Sequence, residues 1–544
     1  MDAASKSSKI GISSFTGLSR AQLIFALAGT MLTLLTSAMD QSISTIAMPH
    51  AIASLNGFAR YSWPATSFSL TSAIAIPVFA KLSDLYGRKW LYLFCAAFFV
   101  VALLVCGAAG TLPIPLDGMN QLVVARGFAG LANGGIIAIS YTLIADLFPP
   151  SERGRYQGLL GGVWGIALFV GPIFGGWVTD HASWRWAFFA DIPFGILAMA
   201  MVYISLPDLR FRFIRHGIDW AGIATLCGWM VPLLLALTWV GQSGWSAPRI
   251  RELLMMSAVL LAAFLLIERR AAEPLLVLSL FRDRRIALAS SSLFQTGSCI
   301  YGIAFYLPLF LQGVLDASAA KSAIVFTQYS MSFIAGYVLG GQLLSRTGQY
   351  RLLALVGSGL ASIGLLLLSQ MNGSTTHLEI LRNVILCGVG LGVLPVTYDV
   401  LVQNAAPREQ MGVATGSTQF FMALGGTLGL ALFGTILLRL YHLHVDRLIP
   451  PGTPTALVQV FDNPLQLVFQ RPNLEEPFSH IANGHALLLN LLEGARAGLL
   501  SAVHSIFLAG AGIMAVPFVL NLFLSNSVDA EGSRKIQQAP PIGE

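Results

Sequence analysis

Asp40, Arg126 and Asp191 are ionisable residues set inside apolar runs: Ala21–Met48, Met119–Leu143 and Trp186–Leu206. A charge within a membrane span costs roughly a few kcal/mol, so each is a functional candidate by default. A buried guanidinium needs a carboxylate partner. One guanidinium neutralises only one of two carboxylates, which leaves the second free to exchange a proton. The plain alternatives are a structural ion pair for Asp40 and a structural role for Arg126. Asp399, about two turns before Pro407 in the run Ile380–Leu401, is a further acid of this kind. A helix cap or a local pair accounts for it equally well.

The elements that must position these residues are spans. The chain has 544 residues, 55% of them hydrophobic and 11% charged, with mean hydropathy +0.71. Soluble domains carry roughly 25% charged residues, so most of this surface meets lipid. The net charge of +6 therefore does not point to nucleic acid; its cations cluster in alternate loops, which is topology information. Cys95, Cys106, Cys227, Cys299 and Cys387 all lie in apolar runs, without disulfide or metal-ligand spacing. The polar, basic tail 1–20 leads into a run too long for a cleaved signal peptide.

Runs of about 20 apolar residues span a bilayer as helices, and fourteen are present. The first six are Ala21–Met48, Tyr61–Phe79, Leu91–Ala109, Met119–Leu143, Tyr156–Val178 and Trp186–Leu206. A middle pair follows, Ile218–Val240 and Ile250–Ile267. The last six are Ile286–Leu311, Ile324–Leu344, Leu352–Met371, Ile380–Leu401, Val413–Leu438 and Leu499–Leu524. With both termini in the cytoplasm, the inner loops collect Lys81, Arg88, Lys89, Arg153, Arg155, Arg210, Arg282, Arg284, Arg346 and Arg408. The outer loops hold about half as many cations.

Asp40, Arg126 and Asp191 share one level in this scheme. Span 1 ends near Pro49, while spans 4 and 6 start near Met119 and Trp184. Each of the three is about seven to nine residues from that boundary, roughly 10–14 Å deep at about 1.5 Å per residue.

Three further stretches carry organisation. Ala80–Leu91 is a short polar link whose Gly87 permits a tight turn, and its cations Lys81, Arg88 and Lys89 mark the cytoplasmic side. Asp84 is placed to receive a helix N-terminus, expected near Met411–Val413. Gly341–Gly348 echoes Ala80–Gly87, as parallel-repeat transporters do. The domains expected are a tail 1–20, a six-helix bundle 21–206, a linker with an inserted helix pair 207–285, a six-helix bundle 286–524 and a tail 525–544. A proline-rich outer loop, 442–496, interrupts the second bundle.

These motifs resemble one family throughout. Leu82, Asp84, Gly87, Arg88 and Lys89 match the loop between spans 2 and 3 of the major facilitator superfamily, with Ala80 in place of its first glycine. Met39-Asp40-Gln41-Ser42-Ile43 resembles the first-span signature of the fourteen-span drug:proton antiporter branch, the EmrB/QacA-like group. Arg126-Gly127-Phe128-Ala129-Gly130 resembles the R-x-x-Q-G element linked to proton transfer, with Ala129 replacing glutamine. Gly171, Pro172, Gly175 and Gly176 match the antiporter motif, which uniporters and symporters generally lack. Trp184-Arg185-Trp186 and Asp219-Trp220-Ala221-Gly222 resemble further elements of the branch, where Asp191 replaces the usual asparagine.

The resemblance implies an all-α membrane protein of the major facilitator fold: two six-helix bundles plus two inserted transmembrane helices. It implies proton-coupled export of hydrophobic or amphipathic small molecules by alternating access. Asp40 is then the proton carrier, with Asp191 as partner or second site. A uniporter or symporter of a small nutrient is the alternative. No enzyme chemistry, metal site or cofactor is implied, and no Walker loop couples the chain to ATP. The setting expected is a bacterial inner membrane, with a periplasmic adaptor and an outer-membrane channel as partners to be sought.

Overall fold

Alternating long apolar runs and short breaks leave the backbone one solution in lipid, the helix, which satisfies its own hydrogen bonds. The computed structural model describes residues 19–147, 150–206, 219–271, 277–406, 411–445 and 484–524. The helices of the first part are α1 (Arg20–Ser54), α2 (Trp63–Tyr86), α3 (Arg88–Gly107), α4 (Gly118–Leu147), α5 (Pro150–His181), α6 (Trp186–Phe189) and α7 (Ile192–Ser205). Then come α8 (Trp220–Ser243) and α9 (Pro248–Glu268). The rest are α10 (Arg284–Gly313), α11 (Ala319–Thr347), α12 (Tyr350–Leu368), α13 (His377–Ala405), α14 (Met411–Val445) and α15 (Gly484–Leu522). With α6 and α7 taken as one span, fourteen helices among the described residues are long and apolar enough to cross a membrane. The chain is a multi-pass, all-α membrane protein.

Local sequence explains several boundaries. Ser19 and Gln22 form a capping box at the start of α1, as Thr376 and Glu379 do for α13. Asp219 accepts the Gly222 N–H at 2.8 Å and so caps α8, which gives the Asp-Trp-Ala-Gly run a structural role. In the connection before α4, the guanidinium of Arg60 bonds Asp117 at 2.7 Å and holds that carboxyl below the usual carboxylate range.

Four sequence expectations change. The link Ala80–Leu91 is almost wholly helical: α2 runs through Tyr86 and α3 starts at Arg88, with Gly87 alone between them at φ +90°. Gly348, at φ +64°, stands at the corresponding break between α11 and α12. Pro49 does not end span 1, since α1 continues to Ser54; Ala51, Ile52 and Ala53 beyond it are apolar and extend the helix. The last span starts at Gly484 and α14 runs to Val445, so both ends of the expected loop 442–496 are helical. Residues 446–483 lie outside the described residues, as do the tails 1–18 and 525–544 and the first part, 207–218, of the expected linker 207–285. Span 6 breaks after Phe189, and Asp191 precedes α7 rather than sitting inside a continuous helix. Pro193 at the second position of α7 lacks an N–H and favours a helix start there.

Two compact units emerge. The first comprises residues 1–275, 303–327 and 430–503; the second comprises 276–302, 328–429 and 504–544. This division differs from the boundary between the two expected bundles, because the first unit also holds one end each of α10, α11, α14 and α15. Within the first unit these ends pack where α1 finishes and α2 begins. Tyr61 meets Phe305 and Tyr306 at ring separations of 4.9 and 5.8 Å, and Phe58 meets Tyr441 at 5.0 Å. Gln312 donates to the Ile46 carbonyl at 3.2 Å. The second unit is held partly by Tyr398 and Asn521, which are hydrogen bonded and buried between α13 and α15.

The Gly87 turn yields a test of fold. A β-branched side chain at that backbone conformation costs about 1–3 kcal/mol. Gly87→Val should lower the melting temperature in detergent. Gly512→Ala, in α15 with open space around it, should leave that temperature unchanged or raise it. Equal effects of the two would contradict the role given to Gly87.

Candidate functional site

Helix α4 presents Arg126 toward α1, and the close approach of its neighbours has a visible cause. A Cβ on Gly130, one turn after Arg126, would collide with the Phe68 carbonyl of α2. A Cβ on Gly134 would collide with the Ser72 carbonyl. Glycine at both positions lets α2 lie against α4, as small residues do between membrane helices. Phe68 thereby comes beneath Arg126. On the other flank of α1, a Cβ on Gly171 or Gly175 of α5 would lie 2.7 Å from Ser42 or 3.0 Å from Ile43. The antiporter-type glycines therefore bring α5 against the turn that follows Asp40.

Of the three expected residues, Asp40 and Arg126 meet within the first unit. Arg126 Nη1 donates to Asp40 Oδ2 at 2.7 Å, with the two side chains 3% and 0% exposed. Arg126 Nη2 donates to Ser44 Oγ at 3.3 Å. Asp191, 1% exposed, lies within electrostatic reach of Asp40. Asp40 Oδ1, Asp191 Oδ2 and Arg126 Nε have no hydrogen-bond partner among the described residues. Counted together, two carboxylates and one guanidinium are electrically neutral when one proton is held.

A polar column on α1, α2, α3 and α4 escapes the motif-based reading. Ser37 donates to the Asn133 side-chain oxygen, and Asn133 Nδ2 donates to Ser72 Oγ at 2.8 Å. Further along, the Tyr92 hydroxyl bonds the Thr30 carbonyl at 3.2 Å and Ser140 Oγ at 3.0 Å. The available signal was spacing: Arg126, Asn133 and Ser140 recur every seven residues, on one face of α4.

The remaining expected residues are distributed as follows. Arg88 is buried at the start of α3, and Lys89 lies over the rings of Tyr203 (5.2 Å) and Trp90 (5.9 Å). The side chains of Asp84 and of Met411–Val413 lie outside the described residues, and with them the expected cap. Pro172 stands inside α5. A Cβ on Gly176 would lie 2.8 Å from the Ala319 carbonyl at the start of α11. One turn later, the Asp180 carboxylate accepts the N–H groups of Ala319 (2.9 Å) and Ala320 (2.8 Å). It caps α11 from another helix, with a charge that suits the positive end of the helix dipole. In the second unit, Asp399 accepts from Thr418 Oγ1 at 2.8 Å and Gln419 Nε2 at 3.0 Å.

The buried pair is open to a direct test. Arg126→Gln strands Asp40, and removing one partner of a buried pair costs about 3–5 kcal/mol. The melting temperature at pH 8 should fall accordingly, and adding Asp40→Asn should recover much of the loss. Additive losses in the double variant would contradict the pairing.

The Major Facilitator Superfamily sequence pattern matches residues 30–430. Multidrug transporter protein MdtP of Bacillus subtilis is 29% identical to this chain over 513 residues, 92% of each protein. Multidrug resistance protein 3 of the same organism is 32% identical over 423 residues, which is 77% of this chain and 81% of that protein. A bacterial homologue of the human lysosomal transporter Spinster, solved in an inward-facing and unoccupied conformation, aligns with a TM-score of 0.63. That alignment covers 93% of this chain and 98% of the other at 15% identity, and it bears on fold alone. With a family match over most of its length and long alignments to multidrug-named relatives, this chain belongs to the Major Facilitator Superfamily and is a membrane transporter.

Proposed function

We propose that this transporter exports hydrophobic or amphipathic small molecules in exchange for protons, by alternating access. The observation that carries the reading is the buried ion pair of Asp40 and Arg126, with a second buried acid, Asp191, in electrostatic reach of Asp40. When a proton arrives, Asp40 is neutralised and its bond to Arg126 loses its ionic character. When the proton leaves, the pair re-forms. The multidrug names of the two Bacillus relatives support export of such molecules. Gly171, Pro172, Gly175 and Gly176, which resemble the antiporter motif, favour exchange over uniport or symport of a nutrient.

The remaining assignments follow from this reading. Residues 21–206 and 286–524 are the two halves of the transport fold, joined by the inserted pair within 207–285. The Lys and Arg bias puts both termini in the cytoplasm of a cell membrane. The Gly87 end of the spans is then inner, and the Asp180 end is outer. Asp84, Gly87, Arg88 and Lys89 gate the inner side. Gly176 and Asp180 close the outer side by seating α11 on α5, a contact that outward opening would break. Asp399 is a second acid that can respond to protons, in the other half. Nothing in the relatives' names supports a periplasmic adaptor or an outer-membrane channel.

Full-length protein in liposomes, with an imposed pH gradient and the lipophilic cation tetraphenylphosphonium as probe, tests the reading. Asp40→Asn should still bind the probe but fail to concentrate it against its gradient. Asp191→Asn, which restores the branch's usual residue, should retain part of the activity. Concentrative transport by Asp40→Asn would overturn the proposal.

A further inference from the structure

The guanidinium of Arg126 has a second kind of partner. Its central carbon lies 4.3 Å from the ring centroid of Phe68 on α2 and 5.8 Å from that of Phe188 on α6. Both rings are buried, at 2% and 0% exposure. The face of a phenyl ring is the negative part of its quadrupole and attracts a cation within about 6 Å, more strongly where water is excluded. Unlike Asp40, a phenyl ring has the same charge at every pH.

This matters in the state where Asp40 carries a proton. Arg126 then keeps the Ser44 hydroxyl as its other hydrogen-bond partner, and its Nε has none among the described residues. A guanidinium so exposed to an apolar interior would oppose protonation of Asp40. Rings that already face the cation reduce that opposition without competing for the proton. The neighbouring titratable groups are few. Asp191, at the start of α7, interacts with Asp40, and Cys106 of α3 lies near both members of the pair. From α2 and α6 come Phe68 and Phe188. Helix α5 meets α1 through Gly171 and Gly175, and its described titratable residues, Asp180 and His181, are further along at its end.

We propose that Phe68 and Phe188 clamp Arg126 in place while Asp40 is protonated, and so set the pH at which the site loads its proton. They are positioning residues that act through Arg126. The inference rests on the reading of Asp40 as the proton carrier. It also gives the Arg126–Gly130 spacing a reason, since Gly130 admits the backbone of Phe68.

The sign of the effect follows directly. Without the rings, Arg126 depends more on ionised Asp40, so the protonated form is disfavoured and more acid is needed to load it. The readout is infrared difference spectroscopy of the carboxylic acid C=O stretch, titrated on full-length protein in lipid without substrate. The band belonging to Asp40 is the one lost in Asp40→Asn. Its midpoint should fall by about 0.5–1 pH unit in Phe68→Leu, a roughly three- to tenfold loss of proton affinity. It should stay close to wild type in Phe68→Tyr. Trifluorophenylalanine at position 68, nearly isosteric with a weakened quadrupole, keeps the test valid if Phe68→Leu folds poorly, and should also lower the midpoint. An unchanged midpoint in both the Leu and fluorinated variants overturns the clamp. Equal shifts in Tyr and Leu would also overturn it, because packing alone would then be responsible. If Asp40→Asn removes no titrating band, the failure belongs to the reading of Asp40 instead.

Discussion

The buried ion pair of Asp40 and Arg126 is the constraint around which the rest of the first unit is arranged. Neither charge can be left alone at that depth, so the backbone must deliver both to one point and keep water from replacing either. Glycines do the delivering. Gly130 and Gly134 bring α2 onto α4, while Gly171 and Gly175 bring α5 onto α1. Aromatic rings do the excluding, with Phe68 and Phe188 against the guanidinium. Asp191 is a second buried acid in electrostatic reach of Asp40, and under the proposed function that surplus of acid lets the pair bind a proton.

The same small-residue logic extends along α5. Gly171 and Gly175 face α1, whereas Gly176 faces the start of α11, and Asp180 lies one turn beyond it. A single helix thus touches the turn carrying the acid and the helix whose first N–H groups it caps. Under the proposed function, these are the proton site and the outer closure. Helix α5 is a short mechanical path between them, in keeping with a motif that resembles one found in exchangers.

Much of the fold could be read from the sequence, because lipid leaves an apolar run few options. Span number, and the need of Arg126 for a carboxylate partner, follow from run lengths and charge. What could not be read were features set by single residues or by contacts. The Ala80–Leu91 stretch looks like a loop because it is polar, yet only Gly87 departs from helix. Asp191 looks like a mid-helix acid, yet Pro193 favours a new helix start and leaves Asp191 at a break. Phe68 carries no motif, and Phe188 stands in the Trp184-Arg185-Trp186-Ala187-Phe188 run without any sign of its role, since a phenylalanine in a membrane span is ordinary until a cation is placed against its face. Asp180, next to an interfacial histidine, gave no sign that it would cap a helix 139 residues away.

The central claim is that binding of an exported molecule and release of a proton are linked through Asp40. Calorimetric titration of tetraphenylphosphonium into the full-length protein, repeated in buffers of different ionisation enthalpy, measures that linkage directly. The account predicts a binding heat that varies with the buffer, corresponding to about one proton released per ligand, and a loss of that variation in Asp40→Asn. A wild-type binding heat independent of the buffer across neutral and mildly acidic pH would contradict it.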